Sequence, residues 1–301
     1  MEVGTRSYDR LILGTAQWGL CYGVSNTQGM TSGEEVKKIL KKAHVSKISF
    51  LDTAPDYGES ESKIGVSGGQ DFKVITKIPK LSEYPASIDK VNELRFSFEK
   101  SIESLNRKCV YGLLFHDPID LIKDTQGILL REVNKLKKNN RVKKIGVSVY
   151  TGEQIDSILD IFLPDIVQVP LNILDQRLFH SGHLKKLNAL GIEVHARSVF
   201  LQGLLHIPIE KLPKFFKPIE HLLINVQSAA VKQEMSINQA SLSFVRDMPF
   251  VDKIIVGIES LSHLNDALND FVVCPGFEYE STEFSNELFL DPRKWNIKIE
   301  S

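Results

Sequence analysis

Residues 34–52 read EEVKKILKKAHVSKISFLD and contain one unit of the pattern that decides the fold. The first part places apolar residues at i, i+3, i+4 and i+7 with lysines on the other face, which predicts an amphipathic helix. These apolar residues are Val36, Ile39, Leu40 and Ala43. The run ISFLD at 48–52 is short, apolar and ends in an acid, as expected of a strand buried on both faces. The stretch therefore predicts a helix followed by a strand.

The same strand pattern occurs seven more times along the chain. The runs are LILG at 11–14, FKVITK at 72–77, YGLLFH at 111–116, VKKIGVS at 142–148, DIVQV at 165–169, GIEVHA at 191–196 and DKIIVG at 252–257. Stretches with helical spacing lie between them, at 91–106, 124–138, 241–248 and 261–268. Residues 211–218, KLPKFFKP, contain two prolines and are expected to form an excursion between the seventh strand and the last helices.

Alternating units without a linker or a low-complexity tract favour one closed fold. Parallel strands need helical crossovers, and eight of them close into a barrel. The sequence predicts an α/β fold, a single (β/α)8 TIM barrel over residues 1–301, with 276–301 as a C-terminal tail near the barrel mouth. A doubly wound open sheet is the alternative, but GTAQWG at 14–19 lacks the G-x-G-x-x-G spacing of its phosphate-binding turn.

Composition argues against several classes of function. The 301 residues include 37 basic and 38 acidic ones, and a net charge of -1 gives no general attraction to nucleic acid. Three scattered cysteines are too few for a disulfide framework or a tetrahedral zinc site, so no metal is expected. The sequence has no apolar run of membrane-helix length and no signal-peptide core, so a cytoplasmic protein without a membrane partner is expected. The sequence predicts no oligomeric state.

Polar residues follow the apolar interiors of most predicted strands. The residues at these ends are Thr15, Asp52, Lys77, His116, Ser148, Gln168, Arg197 and Gly257. In a barrel the C-terminal ends of the strands meet at one mouth, where catalytic groups lie. Asp52, Lys77 and His116 end three successive strands, and Tyr57 follows in the loop DTAPDYG at 52–58. An acid, a base, an imidazole and a phenol are therefore expected around one opening.

These four side chains suit the reduction of a carbonyl group. A carbonyl that receives hydride develops negative charge on its oxygen, which has to be stabilised and protonated. Tyr57 is the candidate general acid, since the ammonium of Lys77 would lower the pKa of the phenol from about 10 and Asp52 would hold the lysine. His116 would donate a second hydrogen bond to the carbonyl oxygen. Tyr57 and His116 would therefore also border the substrate pocket.

The chain resembles the aldo-keto reductases along nearly its whole length. Eight segments in family order carry the resemblance: LGTAQWG at 13–19, FLDTAPDYGESESKIG at 50–65, VITK at 74–77, LLFHDP at 113–118, IGVS at 145–148, VQV at 167–169, ARSVFLQGLL at 196–205 and IIVGIESLSHL at 254–264. The resemblance implies a nicotinamide-dependent reductase of a small-molecule carbonyl substrate, with the dinucleotide extended across the barrel mouth. It implies the catalytic set Asp52, Tyr57, Lys77 and His116.

The resemblance also implies which residues bind the cofactor. Ser148 and Gln168 would hold the carboxamide of the nicotinamide. Four residues after the seventh strand would meet the pyrophosphate: Ser198, Leu201, Gln202 and Gly203. The segment from Gly257 to Ala267 would hold the adenosine, with Gly257, Glu259 and His263 as its contacts. The implied set also includes Thr15, Ala16, Asp52 and Arg197. NADP(H) is the implied cofactor, with NAD(H) as an alternative.

Three features depart from the commoner family pattern. Val149 stands where asparagine usually follows the serine, which removes one amide ligand. Arg197 stands where many relatives stack an aromatic ring on the nicotinamide, and its guanidinium could stack in the same way or bind a phosphate or carboxylate. Gly257 and His263 stand where relatives selective for NADPH commonly have lysine or arginine. The clamp on the 2′-phosphate is therefore expected to be weakened.

Further residues are expected around the opening. Trp18 and Tyr22 follow the first strand and are expected to wall the substrate pocket, with core packing as the alternative for Trp18. The aromatic residues of the tail either cover the mouth or pack on the side of the barrel: Phe284, Phe289 and Trp295.

His180 and His183 have an H-x-x-H spacing, which is expected to be a solvated helix start and not a metal site. The FLQG stretch resembles bacterial relatives that act on sugar-like carbonyls.

Two other functions stay open at this point. A lysine at a strand end forms a Schiff base in barrel aldolases, although pairing with Asp52 would make Lys77 a poor nucleophile. A protein with this fold could also bind a nicotinamide cofactor without turnover and act as a redox-sensor subunit. The presence of all four catalytic residue types favours the reductase.

Overall fold

The computed structural model describes residues 8–24, 26, 29–84, 87–273, 275–279 and 283–295. Eight parallel strands close into a barrel in which neighbours in sequence pair, and the first strand pairs with the last. The strands are β1 Leu11–Gly14, β2 Phe50–Asp52, β3 Lys73–Ile78, β4 Val110–Phe115, β5 Val142–Ser148, β6 Ile166–Pro170, β7 Glu193–Arg197 and β8 Lys253–Gly257. The predicted (β/α)8 barrel is confirmed.

Helices connect the strands and cover the outside of the barrel. They are α1 Ala16–Gly19, α2 Gly33–Val45, α3 Ser60–Val66, α4 Ser87–Ser104, α5 Ile119–Ile122, α6 Ile128–Lys138, α7 Gly152–Leu159, α8 Arg177–His180, α9 His183–Ala189, α10 Glu220–Lys232, α11 Ile237–Asp247, α12 Leu261–Val273 and α13 Glu287–Leu290. Short 3-10 turns occur at Tyr8–Arg10, Gly69–Asp71, Leu201–His206, Ile209–Lys211, Lys214–Ile219 and Pro292–Lys294. Within the described residues, no helix has both the length and the apolar character that crossing a bilayer requires.

The apolar core has two parts. Because side chains alternate along a strand, one set points into the barrel. This interior cluster consists of Ile12, Phe50, Ile75, Leu114, Ile166 and Ile255. The other set packs outward against the helices, where α2 buries the four residues that its spacing predicted. The interior of the barrel is thus filled, and the polar strand ends lie above it at the C-terminal opening.

The bounds of the elements differ from the predicted ones in two informative places. β3 continues past Lys77 to Ile78, so that Lys77 is held within a strand. The proline-containing excursion leads directly into α10, a helix that the sequence analysis missed. The buried residues of α10 are Leu222, Leu223, Val226 and Ala230. Their helical spacing was a usable signal, since a proline such as Pro218 is compatible with the start of a helix.

The described part of the C-terminal tail packs on the segment that follows β7. The ring centroids of Phe289 and Phe215 lie 5.5 Å apart, and those of Trp295 and Phe216 lie 4.9 Å apart. The indole Nε1 of Trp295 donates a hydrogen bond to the carbonyl of Phe289 at 3.2 Å. These aromatic rings therefore pack on the barrel side, which was one of the two alternatives. Tail residues 280–282 and 296–301 lie outside the described residues.

Candidate active site

A cavity of about 380 Å3 opens at the C-terminal ends of the strands. This volume is within the range of small-ligand sites. Its wall includes sixteen of the predicted site residues: Thr15, Ala16, Tyr22, Asp52, Tyr57, Lys77, His116, Ser148, Gln168, Arg197, Ser198, Gln202, Gly203, Gly257, Glu259 and His263. The structure thus brings together residues that are distant in the sequence.

Two of the predicted site residues belong to the core instead. Trp18 is fully buried, and its indole Nε1 donates a hydrogen bond to the carbonyl of Ile258 at 2.6 Å. The prediction that Trp18 walls the cavity is therefore wrong, and the alternative of core packing applies. The side chain of Leu201 is also buried, because burial stabilises an apolar group more than exposure to a polar cavity does. Leu201 does not line the cavity, and its amide donates a hydrogen bond to the carbonyl of Ser198 at 2.9 Å.

A buried ion pair forms the floor of the cavity. Lys77 Nζ donates hydrogen bonds to Asp52 Oδ2 at 2.7 Å and to the carbonyl of Thr53 at 2.8 Å. Gln168 Nε2 donates to the other carboxylate oxygen of Asp52 at 2.5 Å. The side chains of Lys77 and Asp52 are only 2% and 6% exposed. Each charge needs its partner, since an isolated ion at this depth is costly.

Tyr57 lies directly above this pair. Lys77 Nζ is 4.9 Å from the centroid of the phenol ring and faces the ring, while its hydrogen bonds go to the Asp52 and Thr53 oxygens. Burial raises the pKa of the Tyr57 hydroxyl, the charge of Asp52 raises it further, and the charge of Arg197 lowers it. The predicted lowering of this pKa by Lys77 is not found in this arrangement, because Asp52 balances the ammonium. The phenol therefore keeps its proton at neutral pH.

The imidazole of His116 stands beside the phenol. The two ring centroids lie 6.1 Å apart with the rings nearly perpendicular. His116 Nδ1 is 3.0 Å from Asp56 Oδ2, a partner that the sequence analysis missed although it directly precedes Tyr57. An ionised carboxylate only accepts hydrogen bonds, so Nδ1 carries a proton. Nε2 is then an acceptor in the neutral ring, and it donates to a carbonyl oxygen when the ring is doubly protonated.

Two glycines fix the backbone that carries Tyr57. Gly58 has a φ of 56°, in the left-handed region that glycine adopts without strain. A Cβ atom at Gly19 would lie 1.8 Å from the carbonyl oxygen of Tyr57 and 2.5 Å from the amide nitrogen of Ser60. Both atoms belong to the backbone and have little freedom to move. The close packing of Gly19, which follows β1, against the backbone of Tyr57 and Ser60 thus helps to fix the position of Tyr57 at the cavity.

We expect Gly19→Ala to lower the free energy of unfolding by about 1–3 kcal/mol or more, because overpacking a close backbone contact forces the chain to shift. The displaced loop should also lower carbonyl-reducing activity. Chemical denaturation and steady-state kinetics would measure both effects. Gly33→Ala is the matched control, since a Cβ atom there meets nothing within 4 Å. Equal stability of the two variants would contradict this interpretation.

The polar groups at β5 and β6 fit an amide ligand. Gln168 uses its amide nitrogen on Asp52, while its Oε1 is buried without a hydrogen-bond partner among the described residues. A buried acceptor without a donor is costly, and the amino group of a carboxamide would satisfy it. The Ser148 hydroxyl, which accepts a hydrogen bond from Arg197 Nε at 3.2 Å, retains its own proton for donation. These two side chains fit the carboxamide of a nicotinamide.

The segment after β7 presents its backbone to the cavity. Residues with a positive φ cluster there: Ser198 at 62°, Leu201 at 47°, Gln202 at 54° and Gly203 at 89°. Gln202 Nε2 donates a hydrogen bond to the Tyr22 hydroxyl at 2.8 Å across the opening. The amides of Leu201 and Gly203 donate hydrogen bonds within the segment, to the carbonyls of Ser198 and Phe200 at 2.9 Å each. The implied contact of this segment with a pyrophosphate therefore stays a prediction.

The far end of the cavity contains histidines in place of strong cations. Burial lowers the pKa of His263 and of His206, so both are neutral at neutral pH. His263 Nδ1 and Gln17 Oε1 are buried without hydrogen-bond partners among the described residues, and Glu259 adds a negative charge to the wall. His206, which the sequence analysis did not single out, bonds to Asn238. This end can bind an adenosine through neutral hydrogen bonds, but it offers a 2′-phosphate little charge.

The remaining candidates do not form a second site. His183 lies 2.7 Å from the Ser181 hydroxyl and 3.4 Å from Asp156 Oδ2. His180 bonds to Gln176. In the part of the chain that the structure describes, no group of three or more histidine, cysteine or acidic residues is arranged to hold a metal.

A (β/α)8 barrel with an acid, a lysine, a phenol and an imidazole at its mouth defines a class of proteins, and comparison with known proteins identifies it. The model of the aldo/keto reductase family matches residues 10–280, so the chain belongs to this family. Membership implies NAD(P)H-dependent carbonyl reduction and makes the chain an oxidoreductase. A comparison with curated proteins gives no match.

Solved structures show the same fold. A glycerol dehydrogenase from Gluconobacter oxydans is 22% identical with a TM-score of 0.66, covering 91% of this chain and 88% of that one. A proposed aldo-keto reductase from Pseudomonas aeruginosa is 19% identical with a TM-score of 0.65, covering 90% and 92%. A thermostable aldo-keto reductase in complex with the inhibitor epalrestat is 21% identical with a TM-score of 0.65, covering 89% and 91%. At these identities the likeness concerns the fold alone.

Proposed function

We propose that this protein reduces an aldehyde or ketone to an alcohol, with sugar-like carbonyls among the candidate substrates and with Tyr57 as the general acid assisted by Lys77, Asp52 and His116. The observation that carries the proposal is the buried ion pair of Lys77 and Asp52 directly beneath the Tyr57 ring. A structural role alone would not require a charged pair beneath a phenol at the mouth of a barrel. The position of His116 beside the same phenol supports the proposal.

The chain supplies the proton and the charge stabilisation of the reaction. A nicotinamide held by Ser148 and Gln168 would supply the hydride to the carbonyl carbon. The Tyr57 hydroxyl transfers its proton to the carbonyl oxygen as negative charge develops there. Burial keeps that proton on the phenol until the reaction, and the charge of Arg197, which lowers the pKa of Tyr57, favours the phenolate that then forms. Lys77, held by Asp52, faces the phenol ring from below. His116, held by Asp56 beside the phenol, would orient the substrate carbonyl.

NADP(H) is the proposed cofactor, with NAD(H) as an alternative. The orphaned acceptor of Gln168 supports dinucleotide binding at this mouth. The two cofactors differ in the 2′-phosphate. Because His263 and His206 are neutral and lie in the same wall as Glu259, we expect only a weak preference for NADPH over NADH. A ratio of apparent affinities above about a hundred for NADPH would show that other residues clamp the phosphate; each charged hydrogen bond contributes about 1.5–3 kcal/mol.

His263→Arg is expected to raise the affinity for NADPH relative to NADH by about 10-fold or more, because it places a permanent cation at the neutral end of the cavity. Fluorescence titration with each cofactor would measure the ratio. His221→Arg in α10 is the matched control, because it introduces the same charge at an exposed histidine outside the cavity wall. An unchanged ratio in His263→Arg would contradict the assignment of this end to the adenosine.

Steady-state oxidation of NADPH and NADH with a panel of aldehydes, ketones and aldoses tests the proposed function. Turnover that depends on the carbonyl substrate is the expected result. Binding of the cofactor without turnover of any substrate would overturn it in favour of a redox-sensor subunit. Trapping of a carbonyl compound on Lys77 with borohydride would favour a Schiff-base lyase, which the ion pair with Asp52 opposes.

A further inference from the structure

A cationic wall forms the side of the cavity where the tail meets β7. The guanidinium carbon of Arg197 lies 4.0 Å from the ring centroid of Tyr150, and that of Arg293 lies 3.5 Å from the same centroid. All three residues line the cavity that contains Tyr57 and His116. Arginine stacks readily on aromatic faces, and the ring therefore holds both planar groups in place.

Arg197 has no counter-ion of its own. Its guanidinium donates hydrogen bonds to three neutral oxygens: Ser148 Oγ at 3.2 Å, Ser198 Oγ at 3.2 Å and the carbonyl of Val149 at 2.9 Å. In the described part of the chain, no carboxylate lies within ion-pair distance of it. Its positive charge also reaches Tyr57, on whose ionisation it acts. The wall therefore carries a net positive charge close to the reacting groups.

Arg293 is fixed by a buried acid. Its Nε and Nη2 bond to the carboxylate of Asp291 at 2.9 Å and 2.7 Å. Burial alone would raise the pKa of Asp291, but the hydrogen bonds and the charge of Arg293 hold it below its usual range, so the acid is ionised. Asp291 also accepts the backbone amide of Arg293, which begins the turn Pro292–Lys294. Among the described residues no acceptor bonds to Nη1, so one edge of this fixed guanidinium remains available.

The cations around the cavity differ in whether an acidic side chain lies beside them. The ammonium of Lys77 is balanced by Asp52, and His116 lies beside Asp56. Among the described residues Arg197 pairs with no carboxylate, and Arg293 is held rigid against the same Tyr150 ring. Two fixed guanidinium groups with unused donors recognise an oxyanion, because the planar fork matches a carboxylate or a phosphate. A neutral substrate would leave this charge uncompensated.

We propose that the substrate is a carbonyl compound that carries an oxyanion, and that Arg293 binds this group on the side of the cavity that Tyr150 lines. This inference rests on the proposed carbonyl reduction and names its substrate class. The carbonyl would lie at Tyr57 and the acidic group at the cationic wall. The two ends of one small molecule would thus be held by different parts of the chain.

The test compares substrates that share a carbonyl group and differ in charge. D-glucose, D-glucuronate and D-glucose 6-phosphate share the aldehyde carbon and differ at C6. Butanal and 4-oxobutanoate form a second, smaller pair. We expect kcat/KM for an anionic member to exceed that of its neutral partner by about 10- to 100-fold. A higher kcat/KM for D-glucuronate than for D-glucose 6-phosphate would indicate that the site recognises a carboxylate, and the reverse order would indicate a phosphate.

Substitutions of Arg293 and of its neighbour Lys294 test whether Arg293 causes the preference for anionic substrates. Arg293→Gln should remove most of this preference, by about 10-fold or more, and should change kcat/KM for butanal less than 3-fold. Arg293→Lys, which keeps the charge without the planar fork, should restore part of it. Lys294→Gln is the matched control, because this neighbouring cation pairs with Glu287 and is not part of the cavity wall. Unfolding midpoints and butanal reduction show that the tail of each variant is still in place.

A binding measurement separates this inference from the proposed function. Calorimetric titration of 4-hydroxybutanoate, with 1-butanol as the neutral partner, reports recognition of the acid without any reaction. Tighter binding of the acid by wild type than by Arg293→Gln supports the inference even if no aldehyde is reduced. Equal kcat/KM for charged and neutral aldehydes in an active enzyme would overturn the inference alone. It is also overturned if Arg293→Gln weakens NADPH binding and leaves the substrate preference unchanged, since the wall would then serve the cofactor.

Discussion

Replacing Tyr57 by phenylalanine is expected to lower kcat for carbonyl reduction by about 10²–10⁴-fold, the usual cost of losing a positioned general acid. The aromatic ring would still pack over Lys77 and beside His116, so that the shape of the cavity is kept. Cofactor affinity should therefore change little. Steady-state kinetics with a saturating carbonyl substrate measures the loss, and quenching of protein fluorescence by NADPH measures the affinity.

Tyr22→Phe is the control for this variant. Tyr22 also lines the cavity, but its hydroxyl bonds to Gln202 at 2.8 Å and has no role in protonating the substrate. We expect less than a tenfold effect on kcat. Near-normal turnover in Tyr57→Phe, or equal losses in both variants, would remove Tyr57 from the role of general acid.

Lys77→Met is expected to lower the free energy of unfolding by about 3–5 kcal/mol at pH 7, because it leaves the carboxylate of Asp52 buried without its counter-ion. Carbonyl reduction should fall to the background rate, since the cation beneath the phenol is gone. Urea unfolding at pH 7 measures the loss of stability, and steady-state kinetics measures the loss of activity.

The double variant Asp52→Asn with Lys77→Met provides the control. Removing both charges should recover most of the lost stability, because no uncompensated ion remains in the barrel mouth. It should not recover activity. If Lys77→Met were as stable as the wild type at pH 7, the buried pair would not contribute to folding. Only a loss of activity in this variant would then support a role of the pair in the site.

The fold could be predicted from the sequence because its signals are local. Each strand is a short apolar run, and each helix such as α2 shows its buried face in its own spacing. Counting such units to eight leaves a closed barrel as the simplest parallel arrangement. The missed helix α10 shows the limit of this approach, since the prolines before it were more conspicuous than its apolar spacing.

The candidate site was only partly predictable. Strand ends converge in any barrel, which is why Asp52, Lys77 and His116 could be expected at one mouth. Their hydrogen bonds could not be expected, because they depend on side-chain directions that the sequence does not specify. Lys77 faces the phenol ring and bonds to Asp52, while Asp56 reaches His116. These details decide which group carries which proton.

Contacts between distant segments were the least predictable part. Arg293 stacks on Tyr150 across nearly half of the chain, and no local pattern near either residue indicates this. The burial of Trp18 is similar, since its hydrogen-bond partner Ile258 follows the last strand. In both cases the tertiary arrangement, and not the local sequence, assigns the residue to the cavity or to the core.

The attachment of the tail through Phe289 and Trp295 means that the pocket has two separable parts. Strands and their loops contribute most of the cavity, including the proposed catalytic residues, while the tail contributes Pro292 and Arg293 to one wall. Exchanging residues 283–295 between homologous barrels would then transplant substrate preference and leave the hydride-transfer apparatus untouched. Such a modular layout would let selectivity diverge rapidly among enzymes that share one chemical step.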